Sequence, residues 1–538
     1  MTRQSRSSRW SWGVGGAALL AAALIASAPG ARAADTPAGA TDAPTVGNIS
    51  SDSAAKADLA SAPALPSVPM PAGLTINRPA MPAADYQAAQ QRVVGGAAPA
   101  DKTAPQSPAT GLSLVVQIPS INQTQFGGFP PDGDIATSTN WTVQIVNFAL
   151  QMYCLTSCSQ PSKTINFASF FNDTRFLFDP RIIFDPLWQR WAVLVDGCNP
   201  CSGSGTASFF DLAISQSSDP TGGYFIYKFG VGTGAGDFAD FPQMGMDLNS
   251  LIFTYNDFLG NGGFDARTFA AAKAYLYNGQ GFGVPLFGGS GCTIAPPYVL
   301  DNGGPSYTLV ACPNDNGVYL GPMSNTGLSN VSLQHWQAKV PVAAYTAPPC
   351  APQPGVNYCL DTGDARFENR SAQIGNRIWN VHDITVGTAT PQWYEFNTSN
   401  NTLAGSGIWF RTGTSTDWHP SIIVNGVGAT GSNPTGEAFG TWMSVDAPNN
   451  QNLSLRAIGG NGNLDSAGVG AGVAVGPASA TALTNQTFNG NRSGDFSYIS
   501  LYPSPAGGCS ANEWALLEGE VAFNLNNWGT RVAIVRHC

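Results

Sequence analysis

An all-β fold arranged as a β-propeller is predicted for this chain, and three observations predict it. First, the stretch from Phe178 to Phe258 repeats one theme. Short runs of β-formers, such as Arg181-Ile182-Ile183-Phe184 and Leu251-Ile252-Phe253-Thr254-Tyr255, are bounded by Asp-Pro, Asp-Pro-Thr-Gly-Gly or Leu-Asn-Ser turns. Second, no amphipathic period between Leu112 and Cys538 is long enough for a major helix. Thr142 to Met152, as easily strand, and the Ala-rich Arg267 to Tyr275 are the modest candidates. Third, blade starts at Asp132, Arg181, Phe241, Pro297, Arg370, Pro420 and Asp495 recur at roughly 45 to 75 residues, near the spacing of four-stranded blades. That spacing gives seven blades, with six as the other count. A sandwich would need several domains of about 100 residues each, and no linker divides the region that way.

The elements follow in order. The basic start Met1 to Trp10, the apolar run Gly13 to Ala26 and the Ala31-Arg32-Ala33 ending form a secretory signal peptide over 1–33, cleaved after Ala33. An anchor helix is disfavoured because the run falls short of the ~20 apolar residues that span a bilayer. No arginine pair precedes the apolar core, which favours the general secretion route. Residues 34–110 are rich in Ala, Pro, Ser and Gly and poor in aromatics, so they are expected to be a disordered spacer, with a transient helix at Ala83 to Val94. Residues 111–538 are the propeller domain. Its ring is expected to close when the first strand, from Leu112 to Pro119, pairs with the C-terminal blade and removes an exposed sheet edge.

Charged residues make up 11% of the 538, against roughly 25% in ordinary soluble proteins. Polarity therefore comes from amides and hydroxyls. Loss of residues 1–33 removes four arginines and no acid, which takes the formal charge from −10 to about −14. Nucleic acid is excluded as a partner, because its phosphates are bound by clustered Lys and Arg, and the basic residues here are few and dispersed. No stretch after the signal is long and apolar enough for a transmembrane helix.

Ten cysteines in an exported chain predict five disulfides. Local spacing suggests Cys154 with Cys158, Cys198 with Cys201, Cys292 with Cys312, Cys350 with Cys359, and Cys509 with Cys538. Zinc at Cys198-Asn199-Pro200-Cys201 is disfavoured, since no second pair of ligands accompanies it.

Several segments occur in a consistent order: Pro130-Pro131-Asp132-Gly133-Asp134 with Trp141 to Asn147; Asp179-Pro180-Arg181 with Phe184-Asp185-Pro186 and Arg190-Trp191; Ser215 to Gly222; Asp240-Phe241-Pro242 with Gly245-Met246-Asp247. Trp393-Tyr394-Glu395, Pro420-Ser421-Ile422 with Asn425, Gly494-Asp495-Phe496-Ser497, Asn512-Glu513-Trp514 and Trp528-Gly529-Thr530-Arg531 follow. Together they resemble a family of secreted bacterial β-propellers distantly similar to sialidase-type propellers. The resemblance covers all but the signal and spacer, and it implies fold more than reaction. A sialidase is expected to carry S-x-D-x-G-x-T-W turns, an arginine trio, and a Tyr/Glu pair with an acid. Here Ser415-Thr416-Asp417-Trp418 is only a fragment of such a turn. Arg181, Arg377, Arg411 and Arg492 could supply a trio, but spacing does not select three.

Polar residues beside blade starts face the channel and are the site candidates: Asp132, Asp134, Asp179, Arg181, Asp240, His382, His419, Arg492 and Asp495. An Asp before Pro or Gly also fixes a β-turn, and that reading is preferred for Asp185 and Asp219. For Asp132, Asp240 and Asp495 both readings stay open. His382 and His419 sit near Trp379 and Trp418, and a histidine there suits acid-base work or merely packs. Glu395, Glu437 and Glu513 could join the Asp set in a glycosidase carboxylate pair. Asp-rich turns could hold calcium, although no contiguous EF-hand-like loop is present. Phosphate cradles, G-x-S-x-G and H-E-x-x-H are absent.

Two functions compete. One is action on extracellular carbohydrate by a glycoside hydrolase or lyase, with polymer held on Trp faces. The other is a non-catalytic binding or adhesion module that uses the propeller as a rigid platform. Both predict a glycan or cell-surface polymer as partner, outside the cell or in the periplasm.

Overall fold

A computed structural model describes residues 42–71, 79–92, 102, 112–118, 120–155, 158, 162–202, 206–301, 305–336, 338–425, 437–461, 469–470, 472–484, 492–503 and 514–537. The fold is all-β and has a propeller arrangement. Among the described residues, the strands nearest the axis are β1 (Asp134–Thr137), β2 (Phe176–Asp185), β3 (Phe238–Met246), β4 (Pro297–Val299), β5 (Ser371–Ile374), β6 (Thr416–Val424) and β7 (Tyr498–Leu501). β1 packs on β2 and β2 on β3; β3 and β5 each pair in parallel with β4; β5 packs on β6, β6 on β7, and β7 on β1. The succession closes on itself, which defines the axis.

Five sheets of four or five strands stand separately as blades, over 134–166, 176–230, 294–341, 416–474, and 498–537 with 112–118. An eleven-stranded sheet spans 238–290 and 371–409, bridged by β4, with Thr45–Ser51 and Val469–Gly470 at its two ends. Neighbouring sheets meet face to face. Shared hydrophobic clusters join them: Val143 and Leu150 belong to one cluster with Trp191 and Val193, Leu212 with Leu251, Ile252 with Val310, Leu309 with Phe396, Trp393 with Trp418 and Leu455 with Leu517, and Ile135 with Leu516. Trp191, Trp393, Trp409, Trp418, Trp442 and Trp528 are fully buried. A buried aromatic removes 150–250 Å² from water, about 4–6 kcal/mol each before entropy is counted. With so few charges, such packing holds the blades together. It also removes the expected sugar-holding Trp faces, because among the described tryptophans only Trp188 is exposed.

Three inner strands share a local device written in their sequences. Asp179-Pro180 in β2, Phe241-Pro242 in β3 and His419-Pro420 in β6 each place a proline, which has no N–H to give the ladder. The residue before it takes a positive φ, of 46°, 57° and 50° respectively. Pairing with the next strand skips between Phe178 and Arg181, between Asp240 and Gln243, and between Trp418 and Ser421. These bulges turn polar groups toward the axis.

Ring closure occurs as the sequence predicts: Leu112–Ile118 pairs antiparallel with Asn527–His537 in the last sheet. The disulfides Cys154–Cys158, Cys198–Cys201, Cys292–Cys312 and Cys350–Cys359 are present. The Cys509–Cys538 pair and the signal peptide lie outside the described residues.

Residues 42–71 and 79–92 differ from a disordered spacer. Thr45–Ser51 adds to the edge strand Phe282–Ser290, and Ala55–Asp58 adds to Gly223–Gly230. Backbone hydrogen bonds hold an added strand whatever its side chains, so an Ala/Pro-rich composition does not forbid it. The helix Ala83–Gln90 docks through buried Tyr86 and Ala89. Thr142 to Met152 proves to be two strands, Trp141–Val146 and Ala149–Cys154, and Arg267 to Tyr275 ends a strand, Phe264–Ala272, before a four-residue helix.

Candidate active site at the propeller axis

The bulges and the turns before β1 and β7 gather a buried ring of acids and guanidiniums. Asp132 is buried, with φ 40°, just before β1. Its Oδ1 accepts the Asp495 backbone N–H at 2.7 Å and its Oδ2 accepts Asn147 Nδ2 at 2.8 Å. Asn147 Oδ1 in turn accepts the Asp179 N–H at 2.8 Å. Arg492 forms an ion pair with Asp495 and stands 4.0 Å from Asp132. Asp134 accepts the Ile182 N–H at 3.0 Å and Arg370 Nη1 at 2.8 Å. Side chains of one blade thus bond the backbone of the next.

Aromatic rings and guanidiniums fill the axis at the bulge level. The Arg181 guanidinium lies 3.5 Å from the Phe496 ring centre, Phe496 and Phe241 are 4.9 Å apart, and Arg366 lies 4.6 Å from Phe241. Arg181 Nε also donates to Pro242 O at 2.8 Å. Buried guanidiniums are tolerated in such stacks because they are weakly hydrated and keep their in-plane donors free for hydrogen bonds.

Burial sets the electrostatics. It pushes the Asp132 carboxyl up to about 8, helped by neighbouring Asp495. Burial, then Asp240, raises Asp179 well above the usual range, and burial, then Asp495, does the same to Glu368. Glu520, buried beside Asp132, is raised for the same reasons. Burial lowers Arg181 to about 10. It also opposes the charge on Arg492, but Asp495 and Asp132 outweigh it and hold that guanidinium above its ordinary value.

Of the residues singled out by sequence, Asp132, Asp134, Asp179, Arg181, Asp240, His419, Arg492 and Asp495 come together around the axis. Asp132, Asp179, Arg181, Asp240, His419 and Arg492 are each 4% exposed or less, whereas the Asp495 side chain is 27% exposed. His382 stands apart on the second strand of its blade. Its Nδ1 meets Ala365 O at 2.7 Å and its ring packs among Tyr345, Phe367 and Tyr394, so burial lowers it to about 4. It is a neutral core histidine. Asp185 and Asp219 cap turns, accepting the N–H groups of Leu187 and Trp188 and of Thr221. Arg377 pairs with Glu395 at 3.1 Å and Arg411 with Gln451 at 2.8 Å. Arg366 and Arg370 occupy the axial places instead. Glu513 and the Glu437 side chain lie outside what is described.

Sequence reasoning passed over Glu368 and Asp383. Both Glu368 oxygens lie 2.9 Å from His419 Nδ1, and Asp383 Oδ2 accepts the His419 N–H at 2.7 Å. One ligand atom from each of the three lies within 4.8 Å of the others, which makes them a group able to hold a cation. A signal existed: Arg366-Phe367-Glu368-Asn369-Arg370 packs three charges into five residues of a charge-poor chain.

No family model matches the chain, and no curated protein matches it. Solved structures do. A subtype N10 neuraminidase-like protein of A/little yellow-shouldered bat/Guatemala/060/2010 is 11% identical, with 65% of this chain and 99% of that one covered at a TM-score of 0.35. Trypanosoma rangeli sialidase is 10% identical over 75% of this chain and 54% of its own, with a TM-score of 0.33. An exo-beta-1,3-galactanase from Phanerochaete chrysosporium is 12% identical over 62% and 80%, with a TM-score of 0.30.

Proposed function

We propose that this protein is an exported β-propeller that hydrolyses extracellular carbohydrate at the mouth of its axis. The observation that carries the reading is the trio Asp132, Arg492 and Asp495. One carboxyl is enclosed and held protonated up to about 8, while the other is partly exposed and ion-paired to a guanidinium. Two carboxyl groups in opposed environments divide the roles of acid and base in glycoside hydrolysis. Asp495 meets the sugar first. Arg492 orients it, Asp132 is the proton source, and Asp179, Arg181, Asp240 and His419 hold the inner strands in place around them.

Export rests on the signal peptide assigned to residues 1–33. Four disulfides fit an oxidising compartment, and no helix among the described residues is long and apolar enough to cross a membrane. The propeller domain is assigned to 111–538. Its blade count is taken as seven, because the sheet over 294–341 packs on both of its faces, against 238–290 and against 371–409.

One observation favours a second reading, a binding module without turnover. Most axial acids are enclosed and bonded to neighbouring backbone, as a purely structural keystone would be. Incubating the mature protein with a panel of polysaccharides separates the two. Reducing ends released by the wild type and lost in Asp495→Asn support hydrolysis. Retention without release supports binding, and neither overturns the carbohydrate reading.

A further inference from the structure

The inner strand β6 carries His419, the strand Arg377–Val386 carries Asp383, and the segment before β5 carries Glu368. Three distant parts of the sequence thus deliver one imidazole and two carboxylates to a single enclosed point. With Glu368 on Nδ1 and one Asp383 oxygen on the His419 N–H, two polar atoms are left over. Asp383 Oδ1 and His419 Nε2 are buried and have no hydrogen-bond partner. Enclosed polar atoms without a partner are costly, and for a carboxylate oxygen the usual remedy is a water or a cation. The neighbouring Arg366, which holds Asp364 through two contacts of 2.7 Å, offsets only part of the burial that raises Glu368.

We propose that Glu368, Asp383 and His419 form a binding site for a divalent first-row transition ion of the Zn²⁺ or Mn²⁺ class. One nitrogen and two carboxylates suit such an ion. Calcium, which takes six to eight oxygens, is not matched by this donor set. The ion would pin the segment before β5 to the bulge of β6, joining two neighbouring blades at the axis. This site stands whether or not the propeller hydrolyses a glycan.

The test uses the mature full chain, stripped by a chelator and titrated calorimetrically at neutral pH with Zn²⁺, Mn²⁺ and Ca²⁺ separately. One Zn²⁺ or Mn²⁺ per chain is expected. Glu368→Gln and Asp383→Asn should each weaken binding by more than the 10–100-fold that losing an outer partner costs. His335→Ala should leave it unchanged. Saturation by Ca²⁺ alone, no saturable binding, or binding untouched in both carboxamide variants overturns the site. Should those variants fail to fold, Mn²⁺ bound to wild-type protein labelled with ¹⁵N-histidine decides the matter. Nitrogen hyperfine coupling supports the site, and its absence overturns it.

Discussion

Asp132 Oδ1 accepts the backbone N–H of Asp495 at 2.7 Å, although 363 residues separate them. The bond ties the turn before the first inner strand to the turn before the last, alongside the closure that Leu112–Ile118 makes on Asn527–His537. Because it lies in the low-dielectric axis, its strength depends on the charge Asp132 carries.

That dependence has a sign. Asp132 moves from an ordinary 3.8 to about 8 in the folded protein, and Asp179, Glu518 and Glu520 move the same way through burial. The folded state then binds more protons than the unfolded one across that window, so stability is full below 3.8 and is lost as pH rises through about 8. Melting temperature is expected to fall between pH 5 and pH 9, and to fall less in Asp132→Asn. A melting temperature that rises over this range would contradict the assignment.

Arg181→Lys should cost about 3 kcal/mol of stability, since a charged hydrogen bond contributes roughly 1.5–3 kcal/mol and a desolvated cation–π contact up to about 2. A lysine cannot both donate to Pro242 O and stack on Phe496 as the planar guanidinium does. Denaturant midpoints at neutral pH measure the difference. A change below about 0.5 kcal/mol, the range of ordinary surface substitutions, would mean the stack contributes nothing.

Strand addition by the N-terminal segment makes a different prediction. Removing residues 34–71 from the mature chain uncovers the edges Gly223–Gly230 and Phe282–Ser290, which Ala55–Asp58 and Thr45–Ser51 now pair. Open edges template association with other chains. The truncated protein is expected to self-associate under conditions where the mature chain does not, read by light scattering.

Much of this plan is legible in the sequence because proline forces it. The blade starts Arg181, Phe241 and Pro420 fall inside the bulged strands β2, β3 and β6, and Pro297 and Arg370 fall at or beside the starts of β4 and β5. A proline inside a strand that is neither at an edge nor at its start points to a bulge. Closeness to tryptophan did not separate His419 from His382, whereas the proline does. Both lie close to a tryptophan in sequence, but only His419 precedes a proline in an inner strand, and His382 lies one strand outward. Glu368 stood out only through the charges crowded into Arg366 to Arg370, and its meeting with Asp383 was illegible for another reason: it depends on how 361–370 folds back toward the axis, which no local period encodes. The strands at 45–58 escaped notice because their pairing is written in backbone, not in side chains.

The last prediction concerns Asp495, whose side chain is the more exposed of the Asp132–Asp495 pair. Replacing it by Asn keeps the side-chain size and the backbone N–H that Asp132 accepts, and leaves Arg492 near Asp132 at 4.0 Å. Arg492 is fully buried and Asp132 stays protonated up to about 8, so losing the Asp495 charge should cost about 3–5 kcal/mol of stability. Turnover should fall as well, because losing a general acid or base removes about 10²–10⁴-fold in rate. Initial rates of reducing-end release, measured well below the melting temperature of each preparation, separate the two effects. A hydrolase loses at least about 100-fold in rate while the variant is still folded. A binding module shows no release in either form and at most about a tenfold change in retention, the scale of a single weak ionic contact.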